Sequence, residues 1–165
     1  MIDPIALKEI AKGYENENIK FRTFLKNHAK QDELDEQFAT LHNELFASYD
    51  CCKCHNCCEF YSIEVDSSDI ARAAGFLDMT TEVFTDKYTK DGEIKAPCPF
   101  LQDSGRCRIQ PVKPDECVGY PYTDKPDRMA GLMGVINFAE VCPVVFEIVQ
   151  QLKRIYGFRG RRLPI

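Results

Sequence analysis

Apolar residues recur at helical spacing through the first third of the chain and lose that rhythm in its middle. Ile5, Leu7, Ile10 and Ala11 follow Asp3-Pro4, a capping residue with proline at the first helical position, so a short helix is expected to end near Gly13. From about Asn18, the residues Ile19, Phe21, Phe24, Leu25 and His28 recur at helical spacing. Leu34, Phe38, Leu41, Leu45, Phe46 and Tyr49 continue the series after a polar segment, 27–33, that reads as a break. Such faces suit packing on the middle of the chain or on a second copy, so a homodimer through the N-terminal helices is one expectation.

Beyond residue 58 the pattern predicts a short strand over 60–65 and a helix capped by Ser67 or Ser68. A further helix should start at Thr80 or Thr81 and run through Val83, Phe84 and Tyr88, because threonine before a glutamate-containing first turn satisfies exposed amides. Two short apolar pieces, 99–101 and 107–109, flank Asp103-Ser104-Gly105, which is hairpin chemistry and would bring Cys98 close to Cys107. Pro111, Pro114, Pro121 and Pro126 mark loops before an apolar stretch, 129–138, and a last helix from about 143 to 156. These elements predict an α+β, mainly helical fold. N-terminal helices pack on a small cysteine-rich core with short strands and a C-terminal helix. A chain of 165 residues suits one domain, 1–165, burying roughly 70% of its unfolded surface. Within it we expect a helical extension (1–49), a cysteine core (50–145), and a C-terminal helix with a basic tail (146–165).

Cysteine changes this picture most. Eight of the nine cysteines form a CxxCxxCC run, Cys51, Cys54, Cys57 and Cys58, and four later singles, Cys98, Cys107, Cys117 and Cys142. Thiols at CxxC spacing can reach one ion from a single turn, and soft sulfur donors suit zinc, iron or iron–sulfur clusters over magnesium or calcium. All eight are therefore candidate metal ligands. Cys98-Pro99 and Cys142-Pro143 repeat the Cys-Pro dipeptide of ferredoxin-like clusters, while loop pairing of the same cysteines serves zinc as well; the two stand nearly level, with an iron–sulfur cluster or iron as the leading expectation and zinc as the close alternative or an additional ion. Eight sulfurs would serve two tetrahedral zinc sites, or one cubane with four ligands left for a second metal. Cys57 and Cys58, being adjacent, would more easily serve different ions or different irons of one cluster. Cys52 lies out of register and reads as a small buried residue, and His55 as surface or supporting. Lys53, Arg106, Arg108 and Lys113 can offset thiolate charge, Tyr120 and Tyr122 can place a phenol near the metal, and Asp115 and Glu116 flank Cys117.

A net charge of −5 argues against a general nucleic-acid binder. Asp3 and Glu9 interrupt what would have to be a secretory apolar segment, and no run approaches the roughly 20 apolar residues of a membrane span. The expected place is the cytoplasm, where cysteine clusters are metal or redox sites more than disulfides. Absence of a GxxxxGK loop, a nucleotide fingerprint or a serine elbow removes support from ATP-, NAD- and serine-based enzymes. No reaction is assigned, and the partner is an unidentified protein or substrate. The tail carries Lys153, Arg154, Arg159, Arg161 and Arg162; the first two complement the last helix's dipole.

The whole set resembles the YkgJ family of zinc- or iron-chelating CxxCxxCC proteins. The match includes the CxxCxxCC run, Cys98-Pro99-Phe100-Leu101, Cys107-x-Ile109, PDECVGYPY at 114–122, and Cys142-Pro143. It implies a compact cysteine-rich domain binding zinc, iron or an iron–sulfur cluster, a domain type found also in a flagellin lysine methylase. Lys113 and Val118 stand where the family usually has arginine, and residues 1–49 lie outside the match.

Overall fold

The computed structural model describes residues 1–160 and is mainly helical, with a single two-stranded sheet among those residues. In chain order the helices are α1 (Pro4–Lys12), α2 (Glu15–His28), α3 (Gln31–Phe46), α4 (Cys51–Cys54) and α5 (Asn56–Phe60). Strand β1 (Ile63–Glu64), α6 (Ser67–Phe76), α7 (Thr81–Tyr88) and strand β2 (Glu93–Ile94) follow. A 3-10 turn (Gln110–Val112), α8 (Asp115–Gly119), α9 (Arg128–Phe138) and α10 (Pro143–Ile155) complete the series. The chain forms two compact units: Met1–Tyr49 with Pro121–Ile165, and Asp50–Tyr120.

In the first unit, α1 starts as its sequence dictates. The Asp3 carboxylate accepts the Ile5 amide at 2.9 Å, Pro4 opens the helix, and Gly13 closes it. Ala29 and Lys30, both extended, separate α2 from α3 inside the expected polar break. The apolar faces of α2 and α3 are taken by α9 and α10. Phe21, Leu25, Leu34, Phe38 and Leu41 are buried there, as are Val144, Val145, Phe146, Ile148, Val149 and Leu152 of α10. The Tyr14 ring stands edge-on to Phe146, with centroids 5.4 Å apart.

Two polar devices hold this unit in register. Asp127 has a left-handed backbone (φ 62°) and caps α9 with no side-chain bond of its own. Asp35 from α3 replaces it, accepting the Asp127 and Arg128 amides at 2.9 and 2.8 Å while Gln31 donates to both its oxygens. Burial opposes ionisation of Asp35, but these hydrogen bonds outweigh it and hold the carboxyl below its usual range. Lys153 stands in the last turn of α10 as expected, but it is only 4% exposed and donates to Glu17 Oε1 at 2.6 Å and Asn18 Oδ1 at 2.7 Å. The Tyr14 ring lies 5.2 Å from its Nζ. Burial lowers its pKa, against the pull of Glu17. Arg154 pairs with Glu147 at 2.9 Å, while Arg161 and Arg162 lie outside the described residues.

The second unit has a smaller core, Ile63, Ala73, Ala74, Phe84, Ile94, Phe100 and Ile109. Strands β1 and β2 pair antiparallel, Ile63 opposite Ile94 and Glu64 opposite Glu93. The strand is shorter than 60–65 because Phe60 belongs to α5. Helix α6 is capped by Asp66, one residue before the expected serines. Its carboxylate accepts the Asp69 amide at 2.8 Å and the Asp69 side chain returns the bond, a capping box in which a charged acceptor displaces a hydroxyl. Thr80 caps α7 as expected. The 103–105 turn is a hairpin: the Gln102 amide donates to the Arg106 carbonyl (2.9 Å), the Arg108 amide to the Phe100 carbonyl (2.8 Å), and Leu101 bridges Cys107.

Candidate metal centre

The CxxCxxCC run is not a loop but two short helical turns. Asp50 accepts the Cys52 amide at 3.0 Å and starts α4, and His55, left-handed at φ 41°, breaks it from α5. Within one strict helix, successive thiols of CxxCxxC would share a face; the break at His55 re-aims the second half. Cys54 is buried, Cys51 is exposed, and Cys57 and Cys58 line a pocket. His55 Nδ1 lies 2.8 Å from the Glu59 carboxylate and does not line that pocket.

Five thiols line it, those of Cys57, Cys58, Cys98, Cys107 and Cys117, around about 620 Å³ of free space counted out to its mouth. Ile63, Ile94, Phe100 and Ile109 form the apolar wall, and Tyr61, Tyr120 and Pro114 the remainder. Lys113 is the one cation among the described lining residues. The Cys98 amide donates to the Cys58 carbonyl at 2.7 Å, which ties the run to the hairpin. The hairpin then presents Cys98 and Cys107 on its two arms, as its sequence predicted. Gly105 makes the fit possible: a Cβ there would stand 2.1 Å from the Cys52 carbonyl oxygen, and its φ of +77° disfavours any other residue.

Cys117 arrives on α8, whose orientation is fixed by its acidic neighbours. Glu116 accepts the Tyr61 hydroxyl at 3.1 Å and the Glu64 amide at 2.6 Å. The Asp115 amide donates to buried Asp69, and Arg72 joins Asp69 to the Asp115 carboxylate. These carboxylates are thus staples of the helix that carries Cys117; a charged residue flanking a cysteine was the only sequence signal of that role.

Burial first, then neighbouring sulfurs, raises the thiol pKa values: Cys117 is pushed up to about 12, with Cys98, Cys58 and Cys107 acting on it. Cys98 is raised by burial and by Cys58 and Cys107, and Cys107 by burial and by Cys58 and Cys52. Cys58 is raised strongly, by its hydrogen bond with Cys57 first and by burial next. Opposing this, the Phe100 amide donates toward the Cys98 sulfur, the Ile109 amide toward Cys107, and Lys113 acts on Cys51, Cys58, Cys107 and Cys117. Of the four cations named from sequence, only Lys113 lines the pocket; Lys53 lies 4.0 Å from Asp50, and Arg108 bonds the Tyr88 hydroxyl.

Cys51 has Cys54 and Cys52 as its sulfur neighbours. Cys142 and Tyr122 belong to the helical unit, where Cys142 is buried at the start of α10. Among the described residues, no three His, Cys, Asp or Glu side chains already converge as a finished metal site. The donor chemistry nevertheless fits a soft metal: five sulfurs, two amide-to-sulfur bonds and one ammonium share a pocket with no carboxylate lining it. No helix among the described residues is long and apolar enough to cross a membrane.

No curated protein and no solved structure matches the chain. The family described as "CxxCxxCC: Putative zinc- or iron-chelating domain" matches residues 50–143, more than half of the 165. That span contains every pocket-lining thiol, and the chain belongs to the CxxCxxCC family.

Proposed function

We propose that this protein holds an iron–sulfur cluster or iron through its cysteines, for redox or modification chemistry in the cytoplasm. The observation that carries the reading is the number of thiols in one place. Five cysteines line one pocket, one more than a single closed zinc site takes. A single zinc draws four sulfurs to about 2.3 Å from one centre and fills its own coordination, whereas a cluster occupies a volume between its ligands.

When bound, a cluster supplies one-electron exchange. The chain's own residues do the rest. Ile63, Ile94, Phe100 and Ile109 restrict water on one side, the Phe100 and Ile109 amides favour charge on Cys98 and Cys107, and Lys113 offsets accumulated thiolate charge. Thiols this reluctant to ionise must release protons on binding, so affinity falls as pH falls.

A zinc-stapled recognition module is the second reading, favoured by Val118. It follows Cys117 directly and is 71% exposed, with Phe60, at the end of the cysteine run, 51% exposed. Purification without oxygen, followed by absorption spectroscopy and assay of iron, sulfide and zinc per chain, separates the two. Brown protein with iron and sulfide is expected. Colourless protein containing zinc alone would remove the redox reading, and folded, reduced protein without either metal would remove both.

A further inference from the structure

We propose that Lys113 sets the reduction potential of the group held in the cysteine pocket, acting through space as a fixed positive charge and not as a ligand. This inference rests on the iron-binding reading above and deepens it, from a charge that is offset to an equilibrium that the charge controls.

Two geometric observations carry it. First, Lys113 shares the pocket with five thiols, and among the described residues no other cation and no carboxylate lines it. Lys113 is half-buried, yet among the described residues it forms no ion pair and no side-chain hydrogen bond. Other cations of the same unit have partners: Lys53 lies beside Asp50, Lys95 beside Glu93, and Arg72 between Asp69 and Asp115. An ammonium drawn from water without a partner costs stability, so its place makes sense where the pocket receives negative charge. Second, the backbone aims this side chain. The 3-10 turn Gln110–Val112 ends on Lys113, and the Val112 amide donates to the Ile109 carbonyl at 3.0 Å. Buried Pro114 follows, and a residue before proline is confined to extended backbone, which Lys113 adopts at ψ 141°. The ammonium is thus carried on a stem whose backbone is held on both sides.

The sign of the effect follows from charge. Four thiolates carry more negative charge than an iron ion or a cubane core carries positive, so the held group is net anionic. One-electron reduction makes it more so. A fixed ammonium beside it attracts the reduced form more strongly than the oxidised form. The apolar wall of Ile63, Ile94, Phe100 and Ile109 limits the water that would screen that attraction. Lys113 therefore raises the potential. Methionine at this position keeps an apolar stem and loses the charge, whereas arginine keeps the charge.

Spectroelectrochemical titration of the full-length protein, isolated without oxygen, tests this, with the metal absorption as the readout. Lys113→Met should shift the one-electron equilibrium toward the oxidised form by about tenfold or more, a fall in potential of at least about 59 mV. Lys113→Arg should stay within about threefold of wild type. So should Lys53→Met, which removes an exposed cation of the cysteine run that does not line the pocket. An unmoved potential in iron-loaded Lys113→Met overturns the inference, as does an equal fall in Lys53→Met. Should Lys113→Met fail to hold iron, Lys113→Arg decides: iron kept at the wild-type potential supports a required charge, and iron lost from both variants overturns it. A wild-type potential that drops as far when inorganic phosphate is added would assign the ammonium to an incoming anion, and overturns it too. Colourless zinc protein defeats the iron reading and this inference with it, whereas brown protein with a potential indifferent to Lys113 defeats only this inference.

Discussion

The helical unit and the cysteine unit reach order by different means. Met1–Tyr49 with Pro121–Ile165 buries large side chains from several long helices, among them Phe21, Phe38 and Phe146, and almost the whole inner face of α10. Asp50–Tyr120 contains mostly short elements, and two of its seven core residues are alanine. Its thiols take positions at the edge of that core where another protein would place leucine. The contrast teaches that apolar burial suffices for one region, while the other is expected to need an inorganic group to complete it.

Stripping the metal is the strongest way to break the comparison. Chelation should destabilise Asp50–Tyr120 on the roughly 10 kcal/mol scale of structural metal sites, so its amides exchange while those of α3, α9 and α10 stay protected. Equal loss of protection in both units would show that the two regions do not differ in this way. Next comes the charge inside the helical unit. Lys153→Met removes the buried ammonium that pairs with Glu17 and should lower stability by about 3 kcal/mol, measured by urea denaturation, with partial recovery in the double variant carrying Glu17→Gln.

A smaller effect is expected at the hairpin. Gly105→Ala combines an unfavourable φ with a collision against the Cys52 carbonyl and should cost about 2 kcal/mol, read as faster metal loss to a chelator with the helical unit's unfolding unchanged. The mildest change is Asp35→Ala, which uncaps α9 and should cost about 1 kcal/mol in thermal unfolding. The sign with pH follows from the depressed carboxyl: the contribution is present above the unfolded value near 4 and disappears as pH falls through the lower folded value. Wild type and variant should therefore converge in acid.

Local chemistry was the legible part of this chain. Asp3-Pro4, Thr80 and the 103–105 turn state their structures because each effect is decided within a few residues. The cysteine run announced the family through residue type and spacing. Its conformation was hidden, since no residue preference marks His55 for a left-handed break, and so was the pocket that Cys57 and Cys58 both line. Lys153 and Asp35 were equally hidden: what each meets lies about a hundred residues away in sequence, where periodicity carries no information.

The order of the units along the chain has a consequence for assembly. Asp50–Tyr120 interrupts the helical unit, so α1, α2 and α3 leave the ribosome well before α9 and α10, the helices that cover them. Until the intervening segment compacts, joining those halves means closing a long, floppy loop. Capture of an ion by the cysteines would shorten that tether, and metal supply during synthesis would then govern how quickly even the helical unit matures.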